Sequence, residues 1–342
     1  MSHSMLGVID ATTYNDSLED LLLHRSLAAV PFAGRYRLID FVLSNMVNSG
    51  IQSVAIFPKF QYRSLMDHLG SGKNWDLSRK RDGLFFFPSP KLENTYQGIG
   101  SFNHFAHHID YFYRSRQTYA LISNCFTVCN MDYRPILQRH IDVGCDITEI
   151  CHQGRSLEMY IVEKSLLIDL IENREKYGYT CMRDVVTDLR SPFNVCTYEY
   201  NGFAVMIDSI QTYYKTSLNL LNREVWNQVF VSDYPIYTKV KDEPPTQYLP
   251  GAFVKNSMIA NGCVIEGHVE NSIIFRAVHI GKGTVIKNSI IMQKGMIGEN
   301  CELDAVILDK DVKIESGERL RGHKDQPIVI RKGTIQGALM NS

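Results

Sequence analysis

Long apolar runs are missing from this 342-residue chain. No uncharged stretch approaches the ~20 residues that a membrane-crossing helix needs. An excess of either charge is missing too. Lys and Arg number 36 against 37 Asp and Glu, a net charge of −1, which argues against a protein that holds nucleic acid by counterion release. The opening MSHSMLGVID has neither the basic segment nor the long apolar segment of a secretory signal. A cytoplasmic protein is therefore expected, with no membrane and no nucleic acid among its partners. Cysteines at zinc spacing are absent. The eight stand at 125, 129, 145, 151, 181, 196, 263 and 301, and the close pair Cys125 and Cys129 has no matching second pair. Free, buried thiols in a reducing compartment are expected.

What is present is an ordinary globular balance, 44% hydrophobic and 21% charged, which excludes disorder over most of the chain. The length fits two domains, and two patterns divide it. Up to residue 240, strand-like and helix-like segments alternate. Leu6–Ile9, Ser53–Phe57, Tyr119–Ile122, Asp146–Cys151 and Met159–Val162 read as strands. A helix runs from Leu38 and stops at Asn48-Ser49-Gly50; others are expected over Phe102–Arg114, Arg134–Val143 and Ser165–Tyr177. Such alternation implies a mostly parallel sheet covered by helices, with ligands beyond the carboxyl ends of its strands.

Lys241-Asp242-Glu243-Pro244-Pro245 breaks this pattern, and 241–250 is expected to be a linker. From 251 to 342 aliphatic residues recur by number. Ile274, Ile280 and Ile286 are six apart, as are Ile291, Ile297 and Leu303, and Leu308, Ile314 and Leu320, with steps of five between the triplets. This spacing fits a triangular parallel β-helix in which each short strand sends one side chain into a central column. Gly262, Gly281, Gly283, Gly295 and Gly298 suit its corners. A β-sandwich with hairpins is the rival reading.

The sixteen residues VPFAGRYRLIDFVLSN, Val30–Asn45, closely resemble the start of bacterial glucose-1-phosphate adenylyltransferase, the ADP-glucose pyrophosphorylase family. QYRSLMDHLGSGKNWDL (Gln61–Leu77) resembles a nucleotide-site segment of that family. NMDY (Asn130–Tyr133) resembles its MDY element, and PPTQY (Pro244–Tyr248) the opening of its β-helix. The resemblance covers nearly the whole chain. It implies a Rossmann-like nucleotidyltransferase domain over 1–240, followed by a left-handed β-helix of hexapeptide repeats. The implied reaction joins ATP and glucose 1-phosphate into ADP-glucose and pyrophosphate.

The departures from the family decide the expected role. Family enzymes cradle phosphate on a glycine-rich loop after the first strand, but here no glycine lies between Gly7 and Gly34, and the loop reads DATTYNDSLEDL. Leu27 stands at the position of the family's lysine. Magnesium needs carboxylates. Alignment on MDY puts Phe126 at one metal aspartate, and alignment of Gly202–Ser209 on G-Y-W-x-D-V-G-T puts Met206 at the other. A register slip of two would bring Asp208 there instead. The pocket motif Y-x-G-T-A-D-A survives only as Tyr96 and Gly98, with Gln61 as a further remnant. The segment carrying the family's sugar-phosphate lysine is due between Cys151 and Ser156, where only HQGR stands. Val162-Glu163-Lys164 looks like part of that motif but reads better as the next strand.

These losses together imply negligible chemistry. The resemblance is closest to the family's non-catalytic subunit type. It implies a regulatory or activity-enhancing chain of bacterial glycogen biosynthesis, in a hetero-tetramer with a catalytic subunit, with homo-oligomers as the state alone. No cofactor is expected on this chain, and Mg²⁺ is expected in the catalytic partner. Arg35 and Arg37 precede the helix from Leu38, where their charges can meet an anion. Arg35 occupies a position that the family uses for phosphorylated effectors. His104, His107 and His108 share one expected helix but lack a completing metal ligand, and Gly281-Lys282-Gly283-Thr284 and Lys73–Arg81 are read as a corner and a solvated loop. Two rival functions remain. One is an active nucleotidyltransferase with an atypical site. The other is a hexapeptide acyltransferase, for which His268 and His279 are the candidates inside the coils and which the long α/β domain disfavours.

Overall fold

The computed structural model describes residues 4–59, 61–88 and 98–337. Its N-terminal part is built on a seven-stranded mixed sheet. In spatial order the strands are Val195–Glu199, Ile147–His152, Arg155–Glu163, Tyr119–Ser123, Met5–Ala11, Ser53–Pro58 and Gly83–Phe86. The interior strand Met5–Ala11, fifth in this order, is parallel to both neighbours and buried along its length, as its apolar sequence MLGVIDA requires when helices cover both faces. The helix Leu38–Asn48 closes on it so tightly that a Cβ at Gly7 would stand 2.8 Å from Met46 Sδ. Arg155–Glu163 runs antiparallel to both of its neighbours, which makes the sheet mixed.

Two expected helices are broken. Phe102–Arg114 divides into Phe102–Ala106 and Ile109–Arg114. At the break His107 Nδ1 takes the Asn103 carbonyl at 2.7 Å, the acceptor that its backbone N–H would use in a continuous helix. Ser165–Tyr177 divides into Lys164–Glu172 and Arg174–Tyr177, because Asn173 leaves helical geometry and turns its amide onto Asp169.

The expectation of eight free thiols is corrected. Cys145 and Cys196 form a disulfide with Cα atoms 5.9 Å apart, across 51 residues of sequence. Thr148 lies opposite Cys196 in two parallel neighbouring strands, which brings Cys145 alongside. Sheet pairing, invisible in the spacing, made this pair. The other six cysteines are free and buried.

The C-terminal part is the expected left-handed β-helix, with three parallel sheets of 6, 5 and 5 strands. Ile280, Ile297 and Ile314 stack in register 17 residues apart, three short faces per coil. Eight of the nine column residues are buried, and Leu320 on the last coils is half-buried. Gly262 and Gly283 occupy corners at positive φ (77° and 71°), but Asn256, Asn271 and Asn288 take left-handed corners as well. Gly281 serves close stacking instead: a Cβ there would meet the Gly298 backbone at 2.7 Å. A second stripe of the β-helix, Ile273, Ile290 and Ile307, faces outward and is fully buried in the core of the α/β domain. The buried ion pair Arg25–Asp309, at 2.8 Å, joins the two parts beside it.

Candidate functional site

The strand Met5–Ala11 ends at the carboxyl edge of the sheet, where a phosphate-binding loop would begin. Here Asp10 occupies that point, buried, and its carboxylate closes the turn. It accepts the Thr12 N–H at 2.9 Å, the Thr12 hydroxyl at 2.6 Å and the Gly100 N–H at 2.8 Å. The donors at this point are thereby committed to Asp10 rather than left free for a phosphate. Asn15 then caps the short turn Asp16–Leu18 by accepting the Ser17 N–H at 2.9 Å.

Beyond this edge lies a cavity of about 250 Å³. Leu27, Phe126 and Met206, far apart in sequence, line it together. Two local features place them. Asn124 follows the strand Tyr119–Ser123, and its side-chain oxygen accepts both the Phe126 N–H and the Thr127 hydroxyl at 2.9 Å while its amide donates to the Leu157 carbonyl. Thr127–Cys129 then pairs antiparallel with Ala204–Met206, setting Thr127 opposite Met206. The floor is apolar, with Leu27 and Phe126 buried.

Two carboxylates, Glu158 and Asp208, also line this cavity. Burial raises the pKa of Glu158 from its ordinary value, and Arg183, 3.8 Å away, opposes that only partly. The Asp208 carboxylate is exposed and accepts the Thr212 hydroxyl at 2.8 Å beside the start of the helix Ile210–Asn219. Of these two carboxylates, Asp208 is committed to the Thr212 hydroxyl, and burial disfavours the charged form of Glu158 that a Mg²⁺ ion would need. Among the described residues no three His, Cys, Asp or Glu side chains gather as a metal group. His107 is turned onto its own helix, and His108 packs on Phe87 at 4.8 Å between ring centroids.

The expected sugar-phosphate segment is replaced by a hairpin. Strands Ile147–His152 and Arg155–Glu163 are joined by Gln153 and Gly154, both at positive φ (51° and 72°), the geometry of a two-residue turn. Lys164 opens the next helix. Gln61, at φ 44°, and Gly98 lie outside the lining of the cavity. Tyr96 falls outside the described residues.

Arg35 and Arg37 stand elsewhere, at the seam with the β-helix. There they line a small cavity of about 130 Å³ with Lys239, Lys241, Arg276 and Lys310. Six cations thus face one space, and sequence spacing pointed to two of them. Arg37 donates to the Ser64 carbonyl at 2.6 Å, and its pKa falls to about 10 because burial outweighs the pull of Asp40. Lys310 is pushed down to about 7, first by burial and then by Arg37 and Arg25. A larger cavity of about 450 Å³ shares Arg35, Lys239, Lys241 and Arg276 and adds Asp242, Glu243 and Asn261. The seam therefore offers concentrated positive charge beside groups able to bind hydroxyls.

Comparison with known proteins fits both halves of this architecture. A nucleotidyl transferase family profile matches residues 17–158, and a GlmU-like C-terminal hexapeptide profile matches residues 247–326. Glycogen biosynthesis protein GlgD of Geobacillus stearothermophilus is 63% identical over 344 aligned residues, covering all of both chains. That of Bacillus subtilis is 58% identical, covering all of this chain and 99% of its own. The chain belongs to the GlgD family. Glucose-1-phosphate adenylyltransferase of Thermomicrobium roseum is similar at a lower level, 30% identical over 87% of this chain and 79% of its own. GlgD proteins thus match this chain end to end, and the adenylyltransferase resemblance seen in the sequence is the more distant one. Among the described residues, no helix is long and apolar enough to cross a membrane.

Proposed function

We propose that this chain is a non-catalytic, regulatory subunit of glucose-1-phosphate adenylyltransferase in bacterial glycogen biosynthesis, acting on a catalytic subunit rather than on substrate. One observation carries the reading: Leu27, Phe126 and Met206 line a single cavity at the sheet edge, where the family resemblance puts a lysine and two metal aspartates. Transfer of a nucleotidyl group depends on cations that neutralise charge between the phosphates, and removing such groups costs orders of magnitude each. An apolar floor beneath an acidic turn provides the reverse environment. The 63% and 58% identity to GlgD proteins supports the same role.

The cationic seam around Arg35 and Arg37 supplies the regulatory half of the proposal. It binds a phosphorylated effector and passes the effect to the partner through subunit contacts, a coupling typically of ~1–3 kcal/mol. The assembly proposed is a hetero-tetramer of two catalytic and two non-catalytic chains. Its test is mixing the purified chain with its catalytic partner. The expected result is a joint peak in size-exclusion chromatography, with higher turnover or a lower substrate requirement. Separate peaks and unchanged partner kinetics overturn the proposal. A second reading, an active enzyme with an atypical site, rests on Glu158 and Asp208 lining the same cavity. It requires ADP-glucose synthesis by this chain alone.

A further inference from the structure

Of the cations that line the seam, Lys310 is the one whose surroundings most disfavour its charge. Lys310 is half-buried and lines the 130 Å³ cavity. Its own neighbour Asp309 gives it little help. That carboxylate is buried and bound to Arg25 at 2.8 Å, so its charge is already answered. The helix start contributes Arg37 and the turn before it Arg35; the adjacent coil contributes Arg276 and the connector Lys239 and Lys241. The helix Arg63–Leu69 contributes Asp67 and His68, and His68 is engaged with Asp40 at 2.6 Å. A sixth positive charge amid five, half-buried and with Asp67 as the carboxylate on the cavity lining, is unfavourable without an added anion. Hence the amine is pushed down to about 7.

We propose that an oxyanion entering this seam binds together with one proton, which is taken from solvent by the Nζ of Lys310. The amine becomes an ammonium, the buffer gives up the proton, and no other bond changes. The inference rests on the anion-binding reading of the seam and adds its regulation. An anion supplies the charge that Lys310 lacks, so the ammonium form is favoured in the complex. By linkage, affinity falls up to about tenfold per pH unit above the free amine's titration point, until the bound ammonium itself titrates. The effector response then weakens as pH rises through the range just above neutral.

The test is isothermal titration calorimetry of the full chain with sulfate at pH 8, in Tris and in HEPES. Sulfate remains a dianion throughout this range, so any proton exchanged belongs to the protein. The expected binding heat differs between buffers by an uptake of between about half and one proton per site. In Lys310→Arg, whose guanidinium stays charged, sulfate should bind without that difference. Binding to the unaltered chain with equal heats in both buffers overturns the inference and leaves the anion site standing. Uptake that persists in Lys310→Arg also overturns it, and points to His68. No sulfate binding by the unaltered chain overturns the anion reading itself.

Discussion

The carbonyl of Phe126 accepts the backbone N–H of Ile207 at 3.0 Å. This bond extends the ribbon of Thr127–Cys129 with Ala204–Met206 by one step and holds Phe126 and Met206 on one cavity. In this chain it holds a phenyl ring and a thioether. On the proposed reading, these are the positions at which the family carries its metal aspartates.

The join between the two parts is predicted to be electrostatically brittle and hydrophobically strong. Arg25→Met should destabilise the protein by about 3–5 kcal/mol, because it leaves Asp309 buried and unpaired. The double variant Arg25→Met, Asp309→Leu should recover much of that loss. Urea unfolding of the three proteins checks both. A double variant as weak as the single one would contradict the account.

Ile290 and Ile291 are adjacent and both buried, one in the domain seam and one in the column. Ile291→Ala should cost about 2–5 kcal/mol by leaving a cavity. Ile290→Asp should cost at least as much by placing an unpaired carboxylate against the α/β core. Thermal unfolding followed by calorimetry reads both, and a single cooperative transition in the parent is expected to split in the Ile290→Asp variant.

Acidification should weaken the fold through His140. Its ring is buried and bonds Thr148 Oγ1 at 2.9 Å through Nδ1, and burial lowers its pKa despite Asp146 and Glu163. The unfolded chain therefore binds more protons between that lowered pKa and the ordinary histidine value of about 6.5. Stability from this group is full above that value and is lost as pH falls below it. Between pH 7 and 5.5 the parent should lose more of its urea midpoint than His140→Gln does.

The Cys145–Cys196 bridge closes 51 residues. A loop of that length corresponds to up to about 4 kcal/mol of stabilisation on the chain-entropy model. Cys145→Ser should lower the midpoint of denaturation under oxidising conditions and change little in reducing buffer. Peptide mapping without reductant should recover the two cysteines in one linked species.

Much of this architecture was legible because it is periodic. The nine aliphatic residues at steps of six and five gave the β-helix column directly. The docking face was not read from the sequence: adjacent pairs such as Ile273-Ile274 and Ile290-Ile291 are apolar on both members, and the structure shows both buried, one in the column and one against the α/β domain. The broken helices were less legible, because His107 and Asn173 act through side-chain bonds to nearby helix acceptors rather than through hydrophobic spacing. The disulfide was invisible, since it depends on which strands pair. The cationic seam was half visible. Arg35 and Arg37 stand together in sequence, but Lys239, Arg276 and Lys310 reach the same space only through the folding of three distant segments.

The most direct measurement is the rate of ADP-glucose formation from ATP and glucose 1-phosphate by this chain purified free of any partner, with Mg²⁺ present. The account predicts no turnover above the uncatalysed background at any Mg²⁺ concentration, because on the proposed reading Leu27, Phe126 and Met206 stand in the cavity in place of the family's lysine and two metal aspartates. Turnover at ordinary enzymatic rates, of roughly 1–10³ per second, would contradict it.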